Sequence, residues 1–325
     1  MILVTGGAGF IGSNLVQALS ARGEEVAVLD RLESGTKWRN LEGAVIAHLL
    51  PPEALEQALA LKPRAVAHLG AISATTATDA DAVVAANFTL SLRLWEWCAR
   101  EGVPFLYASS AATYGDGSAG FADEETPEAL ARLVPLNLYG WSKHLFDRRV
   151  AQMLALGRAR PPQWAGLKFF NVYGPREAHK GRMASVALHK WREAKAGGPA
   201  RLFASDRPDI PDGGQMRDFV HVDDAVAAML WLLDHPGVSG LFNIGSGRAR
   251  SFLDLARAIF LAMGKEPRIE FFPMPKDLGG KYQYFTEAPM GKLRQAGCDM
   301  VPTPLEQGVE SYVRWLEANP WNREP

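Results

Sequence analysis

Cysteine is nearly absent: Cys98 and Cys298 are the only two in 325 residues. That excludes a disulfide framework and any thiolate cluster with metal-ligand spacing, and two buried apolar thiols in a reducing cytosol are expected. Neither sign of charge is in excess, with 35 Lys and Arg against 36 Asp and Glu, and no long basic block occurs. General nucleic-acid and membrane-surface binders draw their affinity from clustered positive charge, so those classes are excluded and a small partner is expected. No apolar run is long enough to cross a bilayer. Met1-Ile2-Leu3-Val4 passes straight into Thr5-Gly6-Gly7 with no charged segment before it, which reads as a strand and its turn rather than a cleaved leader. Repeats and low-complexity tracts are lacking as well. What is present, 47% hydrophobic and 22% charged residues, suffices for one large domain or a large and a small one.

The apolar segment Ile2-Leu3-Val4 is followed by Gly6, Gly9 and Gly12, and then by Leu15, Val16 and Leu19 at helical spacing. This is a strand, a glycine-rich turn and a helix start. Glycine lets the backbone approach a pyrophosphate, whose charge meets free N–H groups at the positive end of the helix. A glycine-rich turn alone is a weak signal. A second apolar strand, Val26-Ala27-Val28-Leu29, ends in Asp30, eighteen residues past Gly12, where an acid can accept both ribose hydroxyls of an adenosine. Arg31 and Lys37 could hold a 2′-phosphate, so NADP is expected ahead of NAD.

Further strands are expected at 65–69, 104–108, 167–170 and 241–244, with a helix over about 82 to 101, and the run from Asp218 to Asp224 is read as opening another helix. Alternating strands and helices predict an α/β fold with a doubly wound parallel sheet. Ligands then bind beyond the carboxyl ends of the strands, which places Gly70-Ala71-Ile72-Ser73, Ser109-Ser110 and Asn171-Val172-Tyr173 on one cleft.

Tyr139 and Lys143 stand four residues apart, on one face of a helix. Lys143 is expected to lower the phenol's pKa, so that Tyr139 can take the proton of a substrate alcohol and return it. Ser109 or Ser110 supplies a hydroxyl to the same oxygen. Alone, the pair is common by chance and reads more readily as an amphipathic helix with a half-buried Tyr and an exposed Lys.

In this order, Gly-rich turn, Asp30, Ser110, Tyr139 and Lys143 resemble the extended short-chain dehydrogenase/reductases over nearly the whole chain. The segments 105–115, 170–181 and 282–286 resemble those of the ADP-L-glycero-D-manno-heptose 6-epimerases. The resemblance implies a Rossmann-type sheet with a smaller α/β substrate-binding domain, residues 1–172 and about 218–246 forming the first, about 173–217 and 247–325 the second. It implies a homo-oligomer, a pentamer by family habit, in the cytoplasm, supplying the heptose of lipopolysaccharide, with no metal.

Tyr139, Lys143, Ser110 and a second base, Lys180, would be catalytic. Epimerisation at C6 returns hydride to the opposite face, so the keto intermediate must meet a proton donor in each orientation. The cofactor would be held by Gly6, Gly9, Phe10, Ile11, Gly12, Asp30, Arg31, Lys37, Leu69, Gly70, Ala71, Ser73, Asn87, Lys143, Val172 and Lys180. Substrate would meet Ser110, Asn171, Arg182, His189, Phe203, Ser205, Arg217 and Tyr282, with the forked guanidinium of Arg217 suited to a diphosphate. Arg182, Leu69 and the long loop 206–214 depart from the pattern. A 4,6-dehydratase would need an acid where Ala111-Ala112-Thr113 stand. Two alternatives remain: a UDP-sugar 4-epimerase, which needs no second base, and a non-catalytic NADP-sensing regulator on the same fold. An ordinary loop cation paired with Glu177 is the other reading of Lys180.

Overall fold

The computed structural model describes residues 1–275 and 282–322. Seven parallel strands form the central sheet: β1 (Ile2–Thr5), β2 (Val26–Leu29), β3 (His48–Leu50), β4 (Ala65–His68), β5 (Phe105–Ser110), β6 (Trp164–Phe169) and, from late in the chain, β10 (Gly240–Ile244). Between β6 and β10 come β7 (Asn171–Tyr173), β8 (Ala200–Phe203) and β9 (Met216–His221), and after β10 come β11 (Ala249–Ser251) and β12 (Ile269–Phe272). The order in the sheet is β10-β6-β5-β4-β1-β2-β3. Leu3, Val4, Val26, Ala27 and Val28 are wholly enclosed. Helices cover both faces of these strands, which is why they are apolar without alternation.

The strand order reverses between β1 and β4, and in sheets of this kind ligands bind in the crevice beyond the carboxyl ends of the strands at that point. One layer of helices includes Phe10–Ala21 and Val222–Asp234, and the other Leu90–Glu101 and Leu138–Ala155, each carrying a separate apolar cluster. Two smaller sheets, β11-β9-β7 and β12-β8, pack with the helices Val186–Lys195, Phe252–Ala262 and Leu305–Ala318.

Two expectations need correction. The run from Asp218 does not open a helix: Asp218 to His221 finish β9, paired with β7 and β11, and the helix starts at Val222 with the His221 side chain as its cap. Pairing with β7 and β11 overrides the short acidic run that resembles a helix start. The helix expected at 82–101 begins at Ala80 and is interrupted by a π-helical turn, Ala85–Thr89, before continuing as Leu90–Glu101. Among the described residues no helix is long and apolar enough to cross a membrane.

Candidate functional site

The glycine-rich turn leaves β1 at Thr5 and is pressed against the loop that leaves β4. Gly6 has φ +67°, and a Cβ built on it would stand 2.5 Å from Gly70 N. Beneath them Thr5 Oγ1 lies 2.6 Å from His68 Nδ1 and accepts from Gly70 N–H at 3.1 Å, while His68 Nε2 lies 2.9 Å from Ser91 Oγ. Burial, helped by the nearby Lys143, pushes His68 down to about 3, so this floor is uncharged and satisfied. Above it the helix Phe10–Ala21 begins after Gly9 with no side-chain cap, leaving its first N–H groups to an incoming anion.

Asp30, at the end of β2, ties that turn to the adenosine side. Its Oδ2 accepts from Ala8 N–H at 2.8 Å, and its Oδ1 from Arg31 N–H at 2.7 Å and Lys37 Nζ at 2.9 Å. Lys37 is thus poised beside the carboxylate, whereas the exposed Arg31 side chain turns away to Glu53. Leu69, Gly70 and Ala71 line the same crevice from β4, and Ser73 is exposed beyond them. Asn87, on the π-helical turn, clamps Ile72 through its N–H at 2.8 Å and its C=O at 2.9 Å, and donates to Ser142 Oγ at 2.9 Å. The inserted turn therefore fastens the β4 loop to the Tyr139 helix, a use of π geometry common at functional sites.

The helix Leu138–Ala155 is capped by Asn137, whose side chain accepts from Gly140 N–H at 2.8 Å. Tyr139 is half-buried and hydrogen-bonded to Ser110, which ends β5. Ser109 points the other way, donating to Asp147 at 2.6 Å, so Ser110 is the serine of the site. Lys143 is buried, and no described residue hydrogen-bonds or ion-pairs with it. Burial lowers it to about 8, with Asp147 acting in the opposite direction. The expectation that Lys143 lowers the phenol is corrected: Tyr139 is raised, chiefly by burial and also by Asp147, with only the Ser110 hydrogen bond opposing. Near neutrality the pair is a neutral phenol beside an ammonium.

Lys180 lies on the turn Ala178–Met183, and its ammonium sits 5.5 Å from the centre of the Phe10 ring, at the mouth of the glycine-rich turn. It does not pair with Glu177. The enclosed Glu177 carboxylate accepts instead from the Ser185 hydroxyl at 2.6 Å and the Tyr312 phenol at 2.9 Å, bracing the Lys180 loop against the helix Leu305–Ala318. Burial lowers the Lys180 pKa, against the pull of Glu177. Ser110 and Phe10 stand beyond strands that are second neighbours in the sheet, about 10 Å apart at ordinary strand spacing.

A second grouping forms where β8, β9 and the segment from Tyr282 meet. Arg217 is buried, and its guanidinium lies 5.0 Å from the Tyr282 ring, with that phenol as a hydrogen-bond partner and no carboxylate partner among the described residues. Asp218 next to it is consumed by Ser246, Gly247 and Ala288 backbone N–H groups. Phe203 meets Tyr282 edge-on at 6.2 Å. A buried cation framed by aromatic rings can take a diphosphate and a flat base. Asn171 is exposed at the start of β7, Val172 follows it half-buried, and His189 lies half-buried on the helix Val186–Lys195. Ser205 is occupied by its own loop, its hydroxyl bonding Arg207, and the exposed Arg182 joins neither group.

Sequence reasoning misses Asn87's clamp on Ile72, the bracing by Glu177 and the Asp147–Lys168 pair. Only Asp147 carries a visible signal, its place four residues after Lys143.

A model of the NAD dependent epimerase/dehydratase family matches residues 2–245. An ADP-L-glycero-D-manno-heptose-6-epimerase of Nitratidesulfovibrio vulgaris (Hildenborough) is 49% identical over 320 residues, covering 97% of each chain. Among solved structures, the Helicobacter pylori enzyme of the same name superposes with a TM-score of 0.78 at 27% identity, covering 98% of this chain and 96% of that one. A Thermus thermophilus UDP-glucose 4-epimerase in complex with NAD gives a TM-score of 0.78 at 29% identity, covering 98% of this chain and 99% of that one. The chain belongs to the NAD dependent epimerase/dehydratase family.

Proposed function

We propose that this protein is an ADP-heptose 6-epimerase, interconverting ADP-D-glycero- and ADP-L-glycero-D-manno-heptose by transient oxidation at C6. The observation that carries the reading is a second desolvated lysine, Lys180, whose ammonium stands 5.5 Å from the centre of the Phe10 ring beside the glycine-rich turn. A 4-epimerase has no use for it, and the curated relative at 49% identity bears the 6-epimerase name.

The nicotinamide cofactor that this family uses supplies one thing, a reversible hydride acceptor. The residues fit it: a turn that only glycine allows, Asp30 at the end of β2, and an ammonium, Lys143, with donors to spare. Tyr139, hydrogen-bonded to Ser110, holds or delivers the proton of the C6 oxygen in one orientation of the sugar. Lys180 does so in the other. Arg217 and Tyr282 anchor the diphosphate end, which lets the heptose turn without leaving. In this reading the cofactor unit comprises residues 1–172 and about 218–246, the remainder forms the substrate-binding unit, and the protein works as a homo-oligomer.

Purified protein without added cofactor should convert ADP-D-glycero-D-manno-heptose to a mixture of both C6 epimers, followed by proton NMR. Failure of the folded, cofactor-loaded protein to do so, with turnover of a UDP-sugar, would replace the reading by a 4-epimerase.

NADP is the cofactor we favour, because Lys37 stands 2.9 Å from the Asp30 carboxylate, beside the ribose position. Lys37→Ala should weaken NADP by about tenfold, the worth of one charge-assisted contact, and NAD hardly at all. Calorimetric titration of the stripped protein reads both; equal losses would mark Lys37 as a brace for Asp30 only.

A further inference from the structure

Beneath the Tyr139 helix lies a set of charged side chains for which the reaction above has no role. Asp147 follows Lys143 by one helical turn and Tyr139 by two, so the three share a face. Its carboxylate is fully enclosed and accepts from Ser109 Oγ at 2.6 Å, Lys168 Nζ at 2.9 Å and Tyr107 OH at 3.1 Å. Lys168, on β6 and equally enclosed, also donates to Thr113 Oγ1 at 2.6 Å and lies 4.7 Å from the centre of the Tyr114 ring. Thr113 in turn donates to the Ser110 carbonyl at 2.7 Å.

An enclosed ion pair is a poor source of stability, since apolar residues of the same volume often serve as well or better. Its position gives it another use. Lys143 is buried, with no hydrogen-bond or ion-pair partner among the described residues. The titratable groups around it are Tyr139, His144 and Asp147 on its own helix, His68 from β4, and Lys168 from β6, the last already bound to Asp147. His68 and His144 are driven by burial to about 3 and about 4, and so are neutral. Asp147 is the anion of the group. Lys168, Ser109 and Tyr107 hold it back: a carboxylate free to swing onto Lys143 would consume the N–H donors that a ribose needs.

We propose that Asp147, pinned by Lys168, Ser109 and Tyr107, is a positioning residue that acts through Lys143, serving as the counter-charge that keeps this buried side chain an ammonium. The inference rests on Tyr139 and Lys143 being the proton-handling pair, but not on the identity of the sugar. Burial alone moves Lys143 toward the neutral amine, and a fixed anion one turn away opposes that without occupying it.

The test uses cofactor-loaded protein carrying lysine labelled at Cε and Nζ, with the Lys143 signal assigned by its loss in Lys143→Met. The Lys143 titration midpoint should fall by about one pH unit in Asp147→Asn. Should that variant fail to fold because Lys168 is left unpaired, the double variant Asp147→Asn/Lys168→Met removes the anion without stranding a cation, and a fall in the same direction is expected, smaller because a more distant cation goes with the anion. The alkaline limb of the kcat profile should move with it, an effect that a merely structural role would not give. A Lys143 midpoint equal to wild type in the folded double variant overturns the proposal. A shifted midpoint in protein that turns over no ADP-heptose supports the counter-charge and counts against the substrate reading alone.

Discussion

Lys180→Ala is expected to slow C6 epimerisation about a thousandfold while the fold and the bound cofactor stay as they are. General acid–base groups contribute about 10²–10⁴ in rate, and a reaction that delivers protons at two orientations of one oxygen needs both of its donors. Removal should cost little stability. Glu177, the nearest carboxylate, is already satisfied by Ser185 and Tyr312, so no charge is left stranded when the ammonium goes. Tyr139→Phe should be at least as slow, since it removes the phenol that handles the proton of the C6 oxygen beside Ser110. The measurement is the NMR rate of C6 interconversion for each variant, beside a thermal melt and the cofactor absorbance of the purified protein. A near-wild-type rate in Lys180→Ala would make Lys180 a cation of the cofactor site, and would return the 4-epimerase to first place.

Gly12→Ala should yield protein without bound dinucleotide. A Cβ at Gly12 would stand 2.8 Å from the Gly6 carbonyl carbon and 3.0 Å from Gly7 Cα. Both are backbone atoms of the same turn, so no side chain can swing aside, and the turn must open by several tenths of an ångström. Overpacking of this kind costs about 1–3 kcal/mol, and here it falls on the surface that meets the pyrophosphate. We expect affinity for the cofactor to drop at least about a hundredfold, the equivalent of roughly 2.7 kcal/mol. Gly9→Ala is the milder control, its Cβ meeting only the Gly6 carbonyl oxygen at 3.1 Å. Equal cofactor retention in the two variants would show that the turn is looser than its contacts indicate.

Much of this is legible because it is local. β1, the turn and the first helix are written in consecutive residues, an apolar run followed by glycines at fixed spacing, and the structure places them as read. The Tyr139–Lys143 face follows from helical spacing alone. Spacing does not report desolvation, however, and so it predicts the wrong direction for Tyr139: burial, with Asp147, outweighs the Ser110 hydrogen bond. The stretch from Asp218 to His221 misleads for a different reason, since its conformation is set by β7 and β11, which pair with it from far along the chain. A π-helical turn adds one residue to a helix and leaves the apolar stripe nearly undisturbed, so the one at Ala85–Thr89 has no signature. Lys168 reads as one more residue of an apolar strand until Asp147 is found opposite it.

The brace at Glu177 ties together parts of the chain that are synthesised at different times. Tyr312 lies 135 positions beyond the glutamate it holds, on the helix Leu305–Ala318. The loop bearing Lys180 therefore waits, unbraced, while all of those residues are translated and their helix docks. Once it has docked, a change at position 312, far from the crevice in sequence, is inherited as a change in how firmly Lys180 is aimed.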